Sequence, residues 1–388
     1  MEPYLKGRRP TWVEIDLDSI GANIRAIRSW LGPSRKLLCV VKADAYGHGA
    51  VAVARRAAIE GADHLGVAFP EEGLELRRAG VELPILVLGA FHRSQLATMA
   101  EARLTPSVFS PAALSAVLDA GRRLRSPIPF HMEVDTGMGR LGFPPRELEA
   151  ALDRIAALPR PALEGLYTVL ASGEEADSPA TTEQLRLFNH ALQGARRRGL
   201  APTHVHVANS GGVLNTPETW FNMVRPGLAV YGISPGDAQP VLDLEPALSF
   251  RTRVLLIKNE PPGAHLGYGG AWKAARQSRI ATLAAGYDDG INRLLFDGGR
   301  VLIRGQRAPI VGRISMDLTT VDVTDIPGAS EGDEATIIGR QGDEWVTAWE
   351  HARLCRTIPW EILCRIGRRV PRIYLGEGST RPVVSRFD

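Results

Sequence analysis

The chain has 388 residues, with 46 Lys or Arg against 43 Asp or Glu and 44% hydrophobic residues. The near-neutral balance of +3 gives nucleic acid or an anionic membrane no strong electrostatic handle, and the apolar content excludes a disordered chain. Length and content fit two or three globular domains.

Residues 1–10 lack an apolar signal core, and no run approaches the roughly 18 apolar residues of a membrane span. Cys39, Cys355 and Cys364 form no metal spacing and are too few for a disulfide framework, so they read as reduced thiols of a cytoplasmic protein. Only Lys6, Lys36, Lys42, Lys258 and Lys273 carry a primary amine on a side chain.

A helix over 18–31 is expected to pack on the outside of a repetitive region. From residue 37 to 232, β-branched apolar runs alternate with helix-period segments. Eight strands are predicted, over 37–44, 64–69, 84–90, 104–110, 128–136, 162–170, 204–210 and 222–232. Helices over 50–62, 111–124 and 181–199 lie between them, several with Pro or Ser/Thr at the start and Gly after the end. Eight βα units favour a TIM-type barrel over an open doubly wound sheet. After residue 240, short strands follow one another without long helices, as in a mainly antiparallel β domain. Domains are therefore expected over 11–244 and 245–388, with residues 1–10 packing on the second.

Barrel enzymes place their polar groups at the C-terminal ends of the strands. Lys42 follows the apolar run LLCVV there, where burial would depress its pKa and make the amine a nucleophile for a carbonyl. After the fifth predicted strand, Gly137, Gly139 and Gly142 form a GxGxxG. It sits in mid-repeat, and Pro144 and Pro145 follow, so a dinucleotide-binding reading is weak. Arg140 in that loop is placed to fork onto a carboxylate. His204 and His206 share a strand face but have no further ligands at neighbouring strand ends, which favours structural histidines over a metal site. Asn209, Ser210, Gly211 and Gly212 offer donors to an anion such as a phosphate, and Arg225 points into the same mouth. No GxSxG nucleophile elbow is present.

The segments VVKADAYGHG (40–49), VDTGMGRLG (134–142), HVANSGG (206–212), RPGLAVYG (225–232), AAGYDDGINR (284–293), VGRISMD (311–317) and IPWEILCRIGRRVPRIY (358–374), in this order over nearly the whole chain, closely resemble alanine racemases. The resemblance implies a barrel plus a β domain, the cofactor pyridoxal 5′-phosphate, and a homodimer in which each site borrows residues from the partner. Lys42 would then hold the cofactor and act as one base. Tyr287, reaching in from the other subunit, would be the second. Arg225 would face the pyridine nitrogen. Tyr46, Ser210, Gly227 and Leu228, with Asn209 and Trp360 nearby, would surround the phosphate. Arg140 and the Met316 backbone would place the substrate carboxylate. The product would be D-alanine for cell-wall peptide.

Four positions depart from the family. Glu133 stands where a lysine, often carbamylated, is usual, and is expected to serve Arg140 as a negative partner. Val169 replaces a histidine, which removes an imidazole from the relay near Arg225. Ser315 replaces a cysteine, and Trp360 an entrance tyrosine. Val169 and Trp360 leave a neighbouring substrate such as serine open. A decarboxylase of the same barrel type is disfavoured by Arg225, and a carrier that binds the cofactor without turnover is disfavoured by the β domain.

Overall fold

The computed structural model describes residues 7, 9–160, 162–236 and 241–376. They divide into two compact units. One consists of Ser19–Ala45 and Ala50–Glu245; the other consists of Tyr46–Gly49 and the described parts of Met1–Asp18 and Pro246–Asp388.

β1 (Thr11–Asp16) belongs to the second unit. The first unit is a closed barrel of eight strands: β2 (Lys36–Val40), β3 (His64–Val67), β4 (Ile85–Val87), β5 (Leu104–Val108), β6 (Phe130–Glu133), β7 (Leu163–Tyr167), β8 (His204–His206) and β9 (Met223–Val224). All neighbours are parallel, and β9 closes the ring on β2 through Lys36 with Met223 and Leu37 with Val224. The strands are short apolar runs, with Leu38, Leu65, Val67, Ile85, Val87, Val108, Phe130 and Leu166 fully or almost fully buried, as expected of a parallel sheet covered by helices. The helices begin where the sequence marks them. Pro111–Leu124 is capped by the Ser110 hydroxyl, which accepts from Ala113 N at 3.1 Å, and Pro179–Arg197 opens on its proline.

The barrel and the β domain are as the alternation predicts, but two predicted strands end early. The 37–44 run stops at Val40, and the backbone turns left-handed after Lys42. The 222–232 run is a strand only at Met223–Val224, because Pro226 has no N–H for a ladder and Leu228–Tyr231 coils into a 3-10 turn. The outer helix is Leu17–Leu31.

The second unit is built on β10 (Leu248–Glu260), a 13-residue strand. Its first half lies between β1 and Glu334–Gln341, both antiparallel to it. A register shift at Val254–Leu256 bends the strand, and its second half pairs with Ser278–Leu283. Arg372–Leu375 lies parallel to β1 at the far side of the same sheet. The domain boundary drawn at 244/245 therefore misses two segments: 11–16 is a strand of the β sheet, and 46–49 packs with it. The Arg372 guanidinium holds the second of these, donating to Gly47 O at 3.1 Å as well as to Ile366, Gly367 and Val370 carbonyls. Of the expected packing of residues 1–10, residues 1–6 and 8 lie outside the described residues; Arg9 is ion-paired with Asp289.

Candidate active site

Lys42 stands half-buried at the C-terminal end of β2. The next four residues, Ala43, Asp44, Ala45 and Tyr46, all have φ between 52° and 54°. Left-handed backbone costs roughly 1–2 kcal/mol per non-glycine residue, so the turn persists only because its surroundings hold it. Two carboxylates do so. Glu72 Oε1 accepts from Ala43 N at 2.7 Å while its Oε2 accepts from Ala68 N at 2.6 Å, and Asp44 Oδ1 accepts from Ala50 N at 2.8 Å. The Tyr231 hydroxyl donates to Val40 O at 2.7 Å and ties the turn after β9 to the strand that carries Lys42.

Beyond β8 and β9, backbone donors converge on one hydroxyl. Ser210 Oγ accepts from Gly227 N at 2.9 Å and Ala229 N at 3.2 Å. Ser210 is buried, and Gly211 permits close packing: a Cβ there would lie 2.2 Å from Gly173 O. Asn209 spends its side chain on a cap, accepting from Gly212 N at 3.0 Å. A buried hydroxyl and uncharged N–H groups gathered at two turns suit a phosphate, whose oxygens only accept.

Inside the barrel, Arg225 is 5% exposed. It donates to His206 Nδ1 at 2.7 Å and to Thr168 O at 2.8 Å, and its guanidinium lies 5.1 Å above the Tyr167 ring. Burial lowers its pKa to about 10, which leaves it protonated at neutral pH. Tyr167 stacks on His206 with ring centres 4.8 Å apart and planes 7° apart, and donates its hydroxyl to Glu133 Oε2 at 2.8 Å. Burial pushes the Glu133 carboxyl up, against the pull of Arg225 and Arg140. Arg140 itself is exposed and acts on Glu133 through its charge, with no ion pair between them among the described residues, while the hydrogen bond to Glu133 comes from Tyr167. The glycine-rich loop is a capped turn. Asp135 Oδ1 accepts from Gly137 N and Gly139 N, each at 3.0 Å, and a Cβ on Gly142 would sit 2.6 Å from Asp135 N.

Residues 15–235 match the family model of the alanine racemase N-terminal domain, and residues 247–374 that of its C-terminal domain. The chain belongs to the alanine racemase family. The alanine racemase of Symbiobacterium thermophilum is 45% identical over 375 residues, covering 96% of this chain and 99% of the relative; that of Syntrophobacter fumaroxidans is 43% identical over 359 residues, covering 92% and 96%. Among solved structures, the alanine racemase of Bacillus anthracis with bound L-Ala-P is 38% identical, with a TM-score of 0.89 and 98% of both chains covered. That of the D-cycloserine producer Streptomyces lavendulae is also 38% identical, with a TM-score of 0.90 and coverage of 95% and 97%.

The second unit of this alanine racemase family member carries Tyr287 on the 3-10 turn Tyr287–Asp289. Tyr287 N donates to Ser315 O at 2.9 Å and Asp288 N to Met316 O at 3.1 Å, so Tyr287 and Met316 share one scaffold. A Cβ on Gly286 would lie 2.4 Å from both the Ser315 and Met316 carbonyls, a closeness only glycine allows. Ser315 stabilises its own turn, its hydroxyl donating to Leu318 O at 2.8 Å. Asp289, fully buried, is the hub. Its carboxylate accepts from Gly286 N and Arg369 Nε, at 2.9 and 2.8 Å, and is ion-paired with Arg9. In the same unit Tyr46 is buried and its phenol pushed up by burial, while Gly47 packs against the helix Pro359–Cys364 that carries Trp360, a Cβ at Gly47 falling 2.6 Å from Leu363 O.

The sequence pattern by itself assigns no role to several residues that shape the site: Glu72, Asp44, Thr168, Tyr167, His131 and Asp289. The relay expected to lose an imidazole at Val169 keeps one at His206. Its only sequence signal is the His204-Val-His206 alternation, which turns both imidazoles to one face.

Proposed function

We propose that the protein is a pyridoxal phosphate-dependent racemase that interconverts L- and D-alanine with two bases, one on each face of the substrate Cα. The observation that carries this reading is the amine of Lys42 at the mouth of a barrel whose interior presents a buried guanidinium, Arg225, beside a Ser210 cradle suited to a phosphate. The cofactor, when bound, withdraws electrons from Cα and so acidifies its proton. Lys42 holds the cofactor. Ser210, Gly227, Leu228 and Tyr46 take its phosphate, with Asn209 and Trp360 bordering it. Arg225 can only donate to the ring nitrogen, which keeps that nitrogen free of its own proton. Arg140 and the Met316 backbone orient the substrate carboxylate.

Racemisation removes a proton from one face and returns one to the other. The Lys42 amine serves one face and the phenol of Tyr287 of the partner subunit the other, so the active form is a homodimer. Support for this division comes from Tyr287 and Met316, which are 41% and 51% exposed on a rigid scaffold, available to a second copy. Purified protein supplied with pyridoxal phosphate is incubated with L-alanine or L-serine, followed by chiral chromatography and by CO₂ release. D-alanine without CO₂ is expected. Preferred turnover of serine would reassign the substrate, and CO₂ would move the chain to the decarboxylases.

A further inference from the structure

The imidazoles inside the barrel form a hydrogen-bond chain with a direction, and its far end lies away from the strand ends that carry Lys42 and Arg225. A guanidinium only donates, so the contact with Arg225 makes His206 Nδ1 an acceptor and places the His206 proton on Nε2. That N–H donates to His131 Nδ1 at 2.8 Å, which places the His131 proton on Nε2 in turn. His131 Nε2 faces Glu164 Oε2 at 3.6 Å. This exceeds hydrogen-bond length, but a carboxylate that close favours an N–H over a lone pair turned toward it. Glu164 and His131 are each the second residue of their strands, β7 and β6, whereas Arg225 follows the end of β9. The fold makes room for the link: a Cβ at Gly165 would lie 2.4 Å from His131 Nδ1.

We propose that Glu164 is a positioning residue for Arg225: from the N-terminal end of the barrel strands it fixes the direction of the His131–His206 chain and so preserves the acceptor that holds the guanidinium. Both imidazoles are kept neutral by burial, which lowers their pKa values, and the His131 contact holds the Glu164 carboxyl below the usual range. Neutral imidazoles have two tautomers, and the chain admits two directions. In the reverse direction the His206 proton sits on Nδ1 and meets an Arg225 N–H, donor against donor. Arg225 disfavours that alternative at one end and the carboxylate at the other; without the carboxylate the chain can reverse by giving up the contact between His206 and Arg225. That Arg225 faces the cofactor ring nitrogen rests on the function proposed above; the tautomer chain does not.

The test is nitrogen-15 NMR of the full chain with labelled histidine, without cofactor and then with ring-labelled pyridoxal phosphate. The wild-type protein is expected to hold His131 and His206 as single tautomers protonated at Nε2. Glu164→Leu should lose that single-tautomer pattern at both rings. Glu164→Lys, which brings a donor to His131 Nε2, should reverse it, and it keeps the test available if the leucine variant does not fold. Retention of the wild-type tautomers at His206 in either folded variant overturns the proposal, since a merely structural Glu164 would change stability and leave the tautomers alone. If the tautomers move while the cofactor nitrogen signal stays fixed, Arg225 has kept its place through Thr168 O and Val207 O and the positioning role falls; a wild-type cofactor nitrogen that carries its own proton overturns the assignment of Arg225 instead.

Discussion

In the barrel unit Lys42 stands at the head of a strained backbone, the left-handed residues Ala43, Asp44 and Ala45 tied down by Glu72 and Asp44, whereas in the β unit Tyr287 stands on an ordinary 3-10 turn pinned by ion pairs at buried Asp289. One unit fixes its proposed reactive group by conformational constraint and the other by electrostatics. The barrel needs constraint because Lys42 must leave the end of a buried strand at a set angle and no glycine is present until Gly47. The β unit needs charge because two separate turns, 286–290 and 315–318, must be held together, and Arg369 bridges them by reaching Asp289 and Asp317, each at 2.8 Å.

The sharpest break comes at Lys42. Lys42→Ala should lower racemisation by about 10³-fold or more and abolish cofactor retained on the chain after borohydride reduction; activity assays and mass spectrometry check both. Next is Asp289→Asn. It removes the buried charge that pairs with Arg9 and leaves Arg369 with only the exposed carboxylates of Asp288 and Asp317, so the fold should lose about 3 kcal/mol in urea titration, and kcat should fall more than KM rises as the Tyr287 turn loosens. A lysine-like all-or-none loss here, with stability intact, would mean that Asp289 acts chemically and that the contrast between the units is misdrawn.

A gentler test uses acid. Burial lowers the pKa values of His64, His131, His204 and His206 in the barrel, His64 to about 4, and of His351 in the β unit, also to about 4. The unfolded chain protonates these groups near 6.5 while the folded chain resists. Their contribution is therefore complete above pH 6.5 and is lost as pH falls toward 4, at about 1.4 kcal/mol per histidine per pH unit. With His64, His131, His204 and His206 acting together in the barrel, hydrogen exchange corrected for intrinsic rates should show the barrel losing protection first between pH 7 and 5. The smallest expected effect is at Ala43→Gly. Relief of left-handed strain and the added freedom of the unfolded chain oppose each other, leaving a gain of at most about 1 kcal/mol in thermal unfolding.

The barrel was legible because its strands are apolar runs set off by helical periods, and the place of Lys42 at a strand end because a lysine directly after such a run is conspicuous among only five. β1 was not, since WVEID reads as one more apolar alternation and its partner in β10 lies some 240 residues away. The left-handed turn was hidden because Ala-Asp-Ala-Tyr carries no glycine to announce positive φ. Asp289 looked like one of two loop acids in GYDDG; only burial between two arginines separates it from exposed Asp288. Glu164, His131 and Tyr167 come from strands that read simply as core, because sequence periodicity says which face is inward but not which inward groups meet across a barrel.

The proposed division of labour between Lys42 and Tyr287 is tested most directly by early-time isotope analysis in deuterated water, starting from each enantiomer of alanine in turn. Two bases on opposite faces predict that the first product formed carries deuterium at Cα while the recovered substrate still carries protium, in both directions. Product free of deuterium, or equal labelling of product and recovered substrate from the start, would point to a single base and contradict the two-base division.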